Sequence, residues 1–274
     1  MTRFRTSILA ALLLAPSLTR AQAVDSATQK TFFVPRDGAI AAAFLGASVG
    51  LSVFDKRIAH FFQDTSLTHV RAGRVVDGAF SRVNETTLTV GGLAVYAIAK
   101  ATKQETVADI AFHTALSVAG ASITAQVIRG PLGRVRPQNT TPKFDNQYEF
   151  DFMKGFSHFE NRAFPSIHSS SGFAAASVIA AETKRRNPAI FWYVAVPAYA
   201  LALTPGLARM YLGQHWASDI FAGAFLGSFY GWRIVQYSHS HPTTRIDRIF
   251  LGSVDHTNIQ STSNGLSIGW SRKF

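Results

Sequence analysis

The chain has 274 residues, room for one domain with a sizeable core, and its 47% apolar and 16% charged residues are lean in charge for a water-soluble protein. It contains no cysteine, which excludes disulfides, thiol catalysis and cysteine-based metal sites. The formal charge of +11 favours anionic substrates or an anionic membrane surface, and no nucleic-acid partner is expected because the basic residues form no run with interleaved aromatics.

In chain order, Arg3 and Arg5 precede an apolar run from Ile8 to Leu14, and Ala21-Gln22-Ala23 has the small-x-small form of a cleavage site. Residues 1–23 therefore read as a signal peptide for export, with an uncleaved anchor helix as the alternative. Cleavage removes Arg3, Arg5 and Arg20, three of the eleven net charges, and leaves +8 from Val24 onward.

Residues 24–240 read as one helical domain. Apolar helical stretches are expected at 39–54, 87–99, 105–128, 166–182, 189–203 and 215–235, with a mixed amphipathic stretch at 56–82. Ser166 is placed to cap the fourth of these helices, Lys184-Arg185-Arg186-Asn187-Pro188 to end it, and Pro205-Gly206 to break the fifth. The fold class expected is all-α, a six-helix bundle. The uninterrupted apolar runs are about 11–16 residues, short of the ~20 needed to span a bilayer, and the mean hydropathy is only +0.11. Residues 241–274 form a C-terminal extension with extended segments at 246–254 and 265–274 and a turn at 261–264, a short β-hairpin. Two strands cannot close a barrel.

Three blocks carry chemistry. His215 and Asp219 are four apart and share a helix face, where a carboxylate can hold one ring nitrogen and leave the other free as a nucleophile. Arg209 lies six residues before His215, placed to bind the group under attack. His168 follows Pro165-Ser166 at a helix start, where backbone N–H groups attract an anion. Arg129 and Arg136 bracket a Gly-Pro-Leu-Gly turn, and guanidiniums offer planar forks suited to phosphate. Arg134 reads as a solvated surface charge. His113 reads as a core histidine on a helix face, and His239 and His241 as exposed tail residues. His158 and Glu160 fall in the 138–163 loop, within reach of a substrate.

Together, Arg129-x6-Arg136-Pro137, Pro165-Ser166-Ile167-His168 and Ala208-Arg209-x5-His215-x3-Asp219 resemble the three signatures of the type 2 phosphatidic acid phosphatase and vanadium haloperoxidase superfamily. The resemblance covers residues 39–235. It implies a metal-independent phosphatase without a cofactor, in which His215 attacks phosphorus, Asp219 orients it and His168 protonates the leaving group. Arg129, Arg136 and Arg209 would bind the phosphoryl oxygens, helped by Ser166 and the main-chain N–H of Ile167. The pattern is broken where Arg129 replaces lysine, Ile167 replaces glycine and Ala208 replaces serine; none of these removes a nucleophile, an acid or a charge.

The resemblance implies a phosphomonoester or pyrophosphate substrate, whether lipid, isoprenoid or small molecule. A vanadate-dependent haloperoxidase and a non-catalytic envelope protein are the alternatives. The expected location is the periplasm or cell envelope, as a soluble or peripheral enzyme ahead of one threaded through the bilayer. The topology cues conflict: three spans after an exported N-terminus would deliver the site to the cytoplasm, whereas Lys184-Arg185-Arg186 on the opposite side favours the cytoplasm for itself.

Overall fold

A computed structural model describes residues 31–63, 83–241, 257–262 and 265–270. Among them are seven α-helices: α1 (Pro35–Ser52), α2 (Asp55–Gln63), α3 (Glu85–Ala101), α4 (Glu105–Leu132), α5 (Ile167–Arg186), α6 (Phe191–Tyr211) and α7 (Ala217–Ser240). The expected count was six; the seventh is α2, a short helix within the amphipathic stretch. Segments Thr257–Thr262 (β1) and Gly265–Trp270 (β2) pair antiparallel, Thr257 opposite Trp270 and Thr262 opposite Gly265. The expected signal peptide, residues 64–82 and the extended segment at 246–254 lie outside the described residues.

Local chemistry sets several boundaries. Pro35 starts α1, and Asp37 reaches back to accept the Val34 N–H at 2.9 Å while pairing with Arg233 of α7. Asn84 caps α3 by accepting from Thr86 and Thr87 N–H at 3.0 Å. Ser166 caps α5 as expected, accepting from Ser169 N–H at 3.4 Å, and Lys184, Arg185 and Arg186 oppose the dipole in its last turn.

The expected break at Pro205-Gly206 does not occur; α6 runs on to Tyr211. Proline leaves the Leu201 carbonyl without its helical donor, and the Thr204 hydroxyl donates to that carbonyl at 2.6 Å. Gly206 is a contact residue, since a Cβ there would lie 2.8 Å from both Ile220 Cγ2 and Ser169 Oγ. The pair permits close packing of α6 on α5 and α7.

The helices are also longer than their apolar runs suggest. Small and polar residues interrupt those runs and face inward. On α7, Gly223, Gly227 and Gly231 recur every four residues, and a Cβ at each would strike α5 or its N-cap: Ser166 O at 2.3 Å, Ser170 O at 2.0 Å and Ser177 Cβ at 2.5 Å. Such small-residue stripes let helix backbones approach closely. Val118, Ala121 and Ala174 form one core cluster, and Val178, Ala181 and Val235 another.

Bulky apolar groups point outward instead: Trp192 is 61% exposed, Tyr193 81% and Ile123 65%. Two helical segments, Glu105–Leu132 and Pro188–Tyr211, are long and apolar enough to cross a membrane, or three if α1 and α2, bent by 57°, count as one span. An apolar belt of this extent marks association with lipid or another apolar surface.

Candidate active site

The C-terminus of α4, the N-terminus of α5, the C-terminus of α6 and the N-terminus of α7 carry all three sequence blocks. Helix α4 ends at Gly133, whose φ of +60° is left-handed. A side chain there would also collide with the Asp151 carbonyl. The following residues run extended beneath the 138–163 loop. Arg134 bridges Phe150, Val135 N–H donates to Glu149 O at 3.0 Å, Arg136 N–H to Glu160 O at 2.9 Å, and Ala163 N–H to Arg134 O at 3.1 Å. The loop thereby becomes a wall of the site.

His215 is buried, with Nδ1 2.7 Å from the Ala163 carbonyl. A carbonyl only accepts, so Nδ1 carries the hydrogen and Nε2 is left with its lone pair. The Asp219 carboxylate was expected to make this bond. It lies 3.7 Å from Nδ1 and instead accepts from Trp216 N–H at 2.7 Å and Arg134 at 2.6 Å. The helical spacing correctly placed both on one face, but the tautomer is set by a main-chain group.

Arg136 is buried and fixed on three sides. Its Nε donates to Phe159 O at 2.9 Å, one terminal nitrogen donates to Gln214 Oε1 at 3.0 Å, and the guanidinium stacks 3.8 Å from the Phe159 ring. Arg129 and Arg209 are also buried, and Arg129 Nε is buried without a protein partner. His168 is half-buried. Burial, followed by Arg209, His215, Arg136 and Arg129, lowers the His168 pKa to about 3. Burial and then the same three arginines push His215 well below the usual histidine range. Burial and then Arg209 and Arg129 lower Arg136 to about 9. The two histidines and three arginines thus share one strongly positive field.

Ser166 is fully buried; its hydroxyl caps α5 and its N–H donates to Asp219 O at 3.0 Å. Ile167 follows as the first residue of α5. His158 is exposed and bonded to Ser157, and Glu160 contributes its main-chain carbonyl to Arg136. A cavity of about 270 Å³ beside the Arg129 turn is lined by Gln126, Val127, Gly155, Phe156 and Arg162.

Arg134 requires correction: it is 3% exposed, not a solvated charge. It donates to Asp219 at 2.6 Å, Asp55 at 2.8 Å, Ser218 Oγ at 2.8 Å and Gln147 O at 2.7 Å, and lies 5.5 Å from the Trp216 ring. Asp55 in turn accepts Ser218 N–H at 2.9 Å. Sequence reasoning missed Asp55, Gln214 and the Ala163 carbonyl. No local spacing announces them: Asp55 is 79 residues from Arg134, Gln214 is one polar residue among many, and Ala163 acts through its backbone.

Comparison with known proteins adds four findings. The PAP2 superfamily model matches residues 110–242. A stretch of 113 residues is 31% identical to a Lipid A 4'-phosphatase of Bacteroides thetaiotaomicron, covering 41% of this chain and 46% of that protein. A stretch of 69 residues is 36% identical to a Lipid A 1-phosphatase of Porphyromonas gingivalis, covering 25% of this chain and 15% of that protein. The chain thus spans less than half the length of either relative. A solved structure of a transmembrane PAP2 type phosphatidylglycerolphosphate phosphatase from Bacillus subtilis aligns over 72% of this chain and 98% of that one, at 20% identity and a TM-score of 0.39.

Proposed function

We propose, on the match of residues 110–242 to the PAP2 superfamily model, that the chain is a membrane-bound phosphatase of that superfamily acting on a phosphorylated lipid through a phosphohistidine at His215. The observation that carries this reading is the 2.7 Å contact of His215 Nδ1 with Ala163 O inside a field of three buried arginines. It leaves Nε2 as an unprotonated nucleophile where a phosphoryl dianion is electrostatically favoured.

In the proposed reaction, His215 Nε2 forms a bond to phosphorus as the bond to the lipid oxygen breaks. Arg129, Arg136 and Arg209, with the Ser166 hydroxyl and the main-chain N–H of Ile167, hold the equatorial oxygens. Free His168 is neutral at pH 7. A bound dianion offsets the three guanidiniums and raises its pKa, so that it can hand a proton to the departing alkoxide. Water then attacks the phosphohistidine, giving its proton back to His168 and releasing phosphate. Guanidiniums supply the charge stabilisation, and the scheme calls for no metal. Val127 and Phe156 in the adjacent cavity suit the apolar part of a lipid, and Arg162 a second polar group.

The same reading covers export and domain organisation: residues 1–23 as signal peptide, 24–240 as the phosphatase domain and 241–274 as an extension. The topology conflict is resolved if α1 and α2, with their 57° bend, re-enter on one side. Helices α3 and α4 then return the chain to the exported face, where the site lies, and Lys184, Arg185 and Arg186 fall in the cytoplasm. The absence of native cysteine makes this directly measurable. In intact cells, a membrane-impermeant maleimide is expected to label Lys143→Cys and not Asn187→Cys; the reverse pattern refutes the orientation.

Substrate class is tested with purified protein in detergent and chelator. Phosphate release is expected to be faster from phospholipid and isoprenoid phosphates than from nucleotide phosphates. Equal rates reject the lipid assignment, and no release from any of them rejects the phosphatase.

A further inference from the structure

Asp109 and His113 on α4, Glu182 on α5 and His239 on α7 meet at the end of the bundle away from His215. His113 lies sixteen residues before Arg129, about 24 Å along the axis of α4. The sequence reading placed His239 in an exposed tail, but it belongs to the last turn of α7 and is turned toward Glu182. His113 is fully buried, as a core histidine should be, yet it faces a carboxylate.

Two imidazole nitrogens converge on one oxygen: His113 Nδ1 is 3.0 Å and His239 Nε2 2.6 Å from Glu182 Oε1. Asp109 Oδ1 lies 3.7 Å from His113 Nδ1, and Asp109 Oδ2 lies 3.6 Å from His239 Nε2. One donor atom from each of the four residues lies within 4.8 Å of all the others. In a tetrahedral site with bonds of about 2.0–2.1 Å, ligand atoms stand about 3.3 Å apart. The separations taken with Asp109 Oδ2 as its one ligand atom, 3.0, 2.6 and 3.6 Å, bracket that value. Arg186 donates to the other oxygen of Glu182 at 3.0 Å and to Asp109 Oδ2, and Arg185 lies 3.4 Å from Glu182 Oε2. Arg186 thereby orients both carboxylates from outside, as second-shell partners of metal ligands do. His113 Nε2 has no partner, so Nδ1 is the working atom of that ring.

We propose that Asp109, His113, Glu182 and His239 form a binding site for a divalent transition metal ion, with zinc the best fit, that ties α4, α5 and α7 together far from the phosphate site. Two imidazoles and two carboxylates suit zinc better than magnesium, which prefers oxygen ligands and retains water. Binding moves the ring hydrogens to the opposite nitrogens, Nε2 of His113 and Nδ1 of His239, leaving the metal-facing lone pairs available.

The test is zinc content and zinc titration of the full-length protein in detergent, first stripped with chelator and desalted. One zinc per chain is expected to bind and raise the thermal midpoint. His239→Ala removes a half-buried ligand in a terminal turn, where the helix tolerates truncation, and is expected to abolish both effects, as is Glu182→Gln. His215→Ala is expected to bind zinc as the unmodified chain does. No stoichiometric zinc in the unmodified chain, zinc held equally well by His239→Ala, or zinc lost from His215→Ala would each overturn the proposal; the first leaves the cluster an ion-pair network.

Discussion

Replacing His215 by alanine is expected to cut phosphate release by about 10⁴-fold or more with the fold retained. The side chain makes one close polar contact, to Ala163 O, so its removal leaves a single carbonyl unsatisfied, at about 1–3 kcal/mol. The catalytic loss is far larger because the variant lacks the nitrogen that attacks phosphorus, and His168 is assigned to the leaving group instead. His168→Ala should behave differently. With alkyl phosphates, whose alkoxide leaving group needs a proton, the loss should be about 10²–10⁴-fold. With an aryl phosphate whose phenolate leaves unaided, it should be slight. Initial rates on both substrate types separate the two histidines. An equal loss for His168→Ala on both would remove it from the acid role, and near-normal turnover by His215→Ala would remove the nucleophile.

Arg134→Ala is the second large effect, and it acts through folding. Arg134 holds Asp55 and Asp219 by hydrogen bonds of 2.8 and 2.6 Å, and both carboxylates are fully buried. Truncation leaves two buried negative charges without their cation, a change that costs about 3–5 kcal/mol in comparable buried pairs. Asp219 also caps the start of α7 through Trp216 N–H, so the same change loosens the helix turn carrying His215. The expected result is a markedly lower midpoint of thermal unfolding in detergent and lost activity, with partial recovery in Arg134→Lys. Lysine keeps the charge but cannot reach two carboxylates with a planar fork. An unchanged midpoint in Arg134→Ala contradicts the account of this network. Asp219→Asn should follow the same pattern, since Asp219 lies 3.7 Å from His215 Nδ1 and its closest partners are Arg134 and Trp216.

The residues proposed to handle phosphate could be picked out because they sit at short, fixed spacings around helix termini. His215 and Asp219 share a face, Ser166 caps a helix and Arg129 closes one. What could not be read depends on long-range pairing or on the main chain. Arg134 looked like a surface charge because its partner Asp55 is 79 residues upstream. The tautomer of His215 is set by a carbonyl that no side-chain pattern reveals. Pro205-Gly206 looked like a stop, but the Thr204 hydroxyl supplies the missing donor. Helix lengths were under-read for a related reason. Inward-facing glycine, serine and alanine interrupt the apolar runs, and the continuous apolar surface appears only when each helix is seen from outside. The Asp109–His113–Glu182–His239 cluster gathers three helices, and only the four-residue spacing of Asp109 and His113 is local.

The central claim is that His215 becomes phosphorylated. Quenching turnover of a ³²P-labelled lipid phosphate under alkaline conditions, which preserve phosphohistidine, followed by mass spectrometry of the digested protein, tests it directly. The account predicts phosphate on the peptide containing His215 and none in His215→Ala. Turnover with no phosphoenzyme, or label on another residue of the active protein, would contradict it.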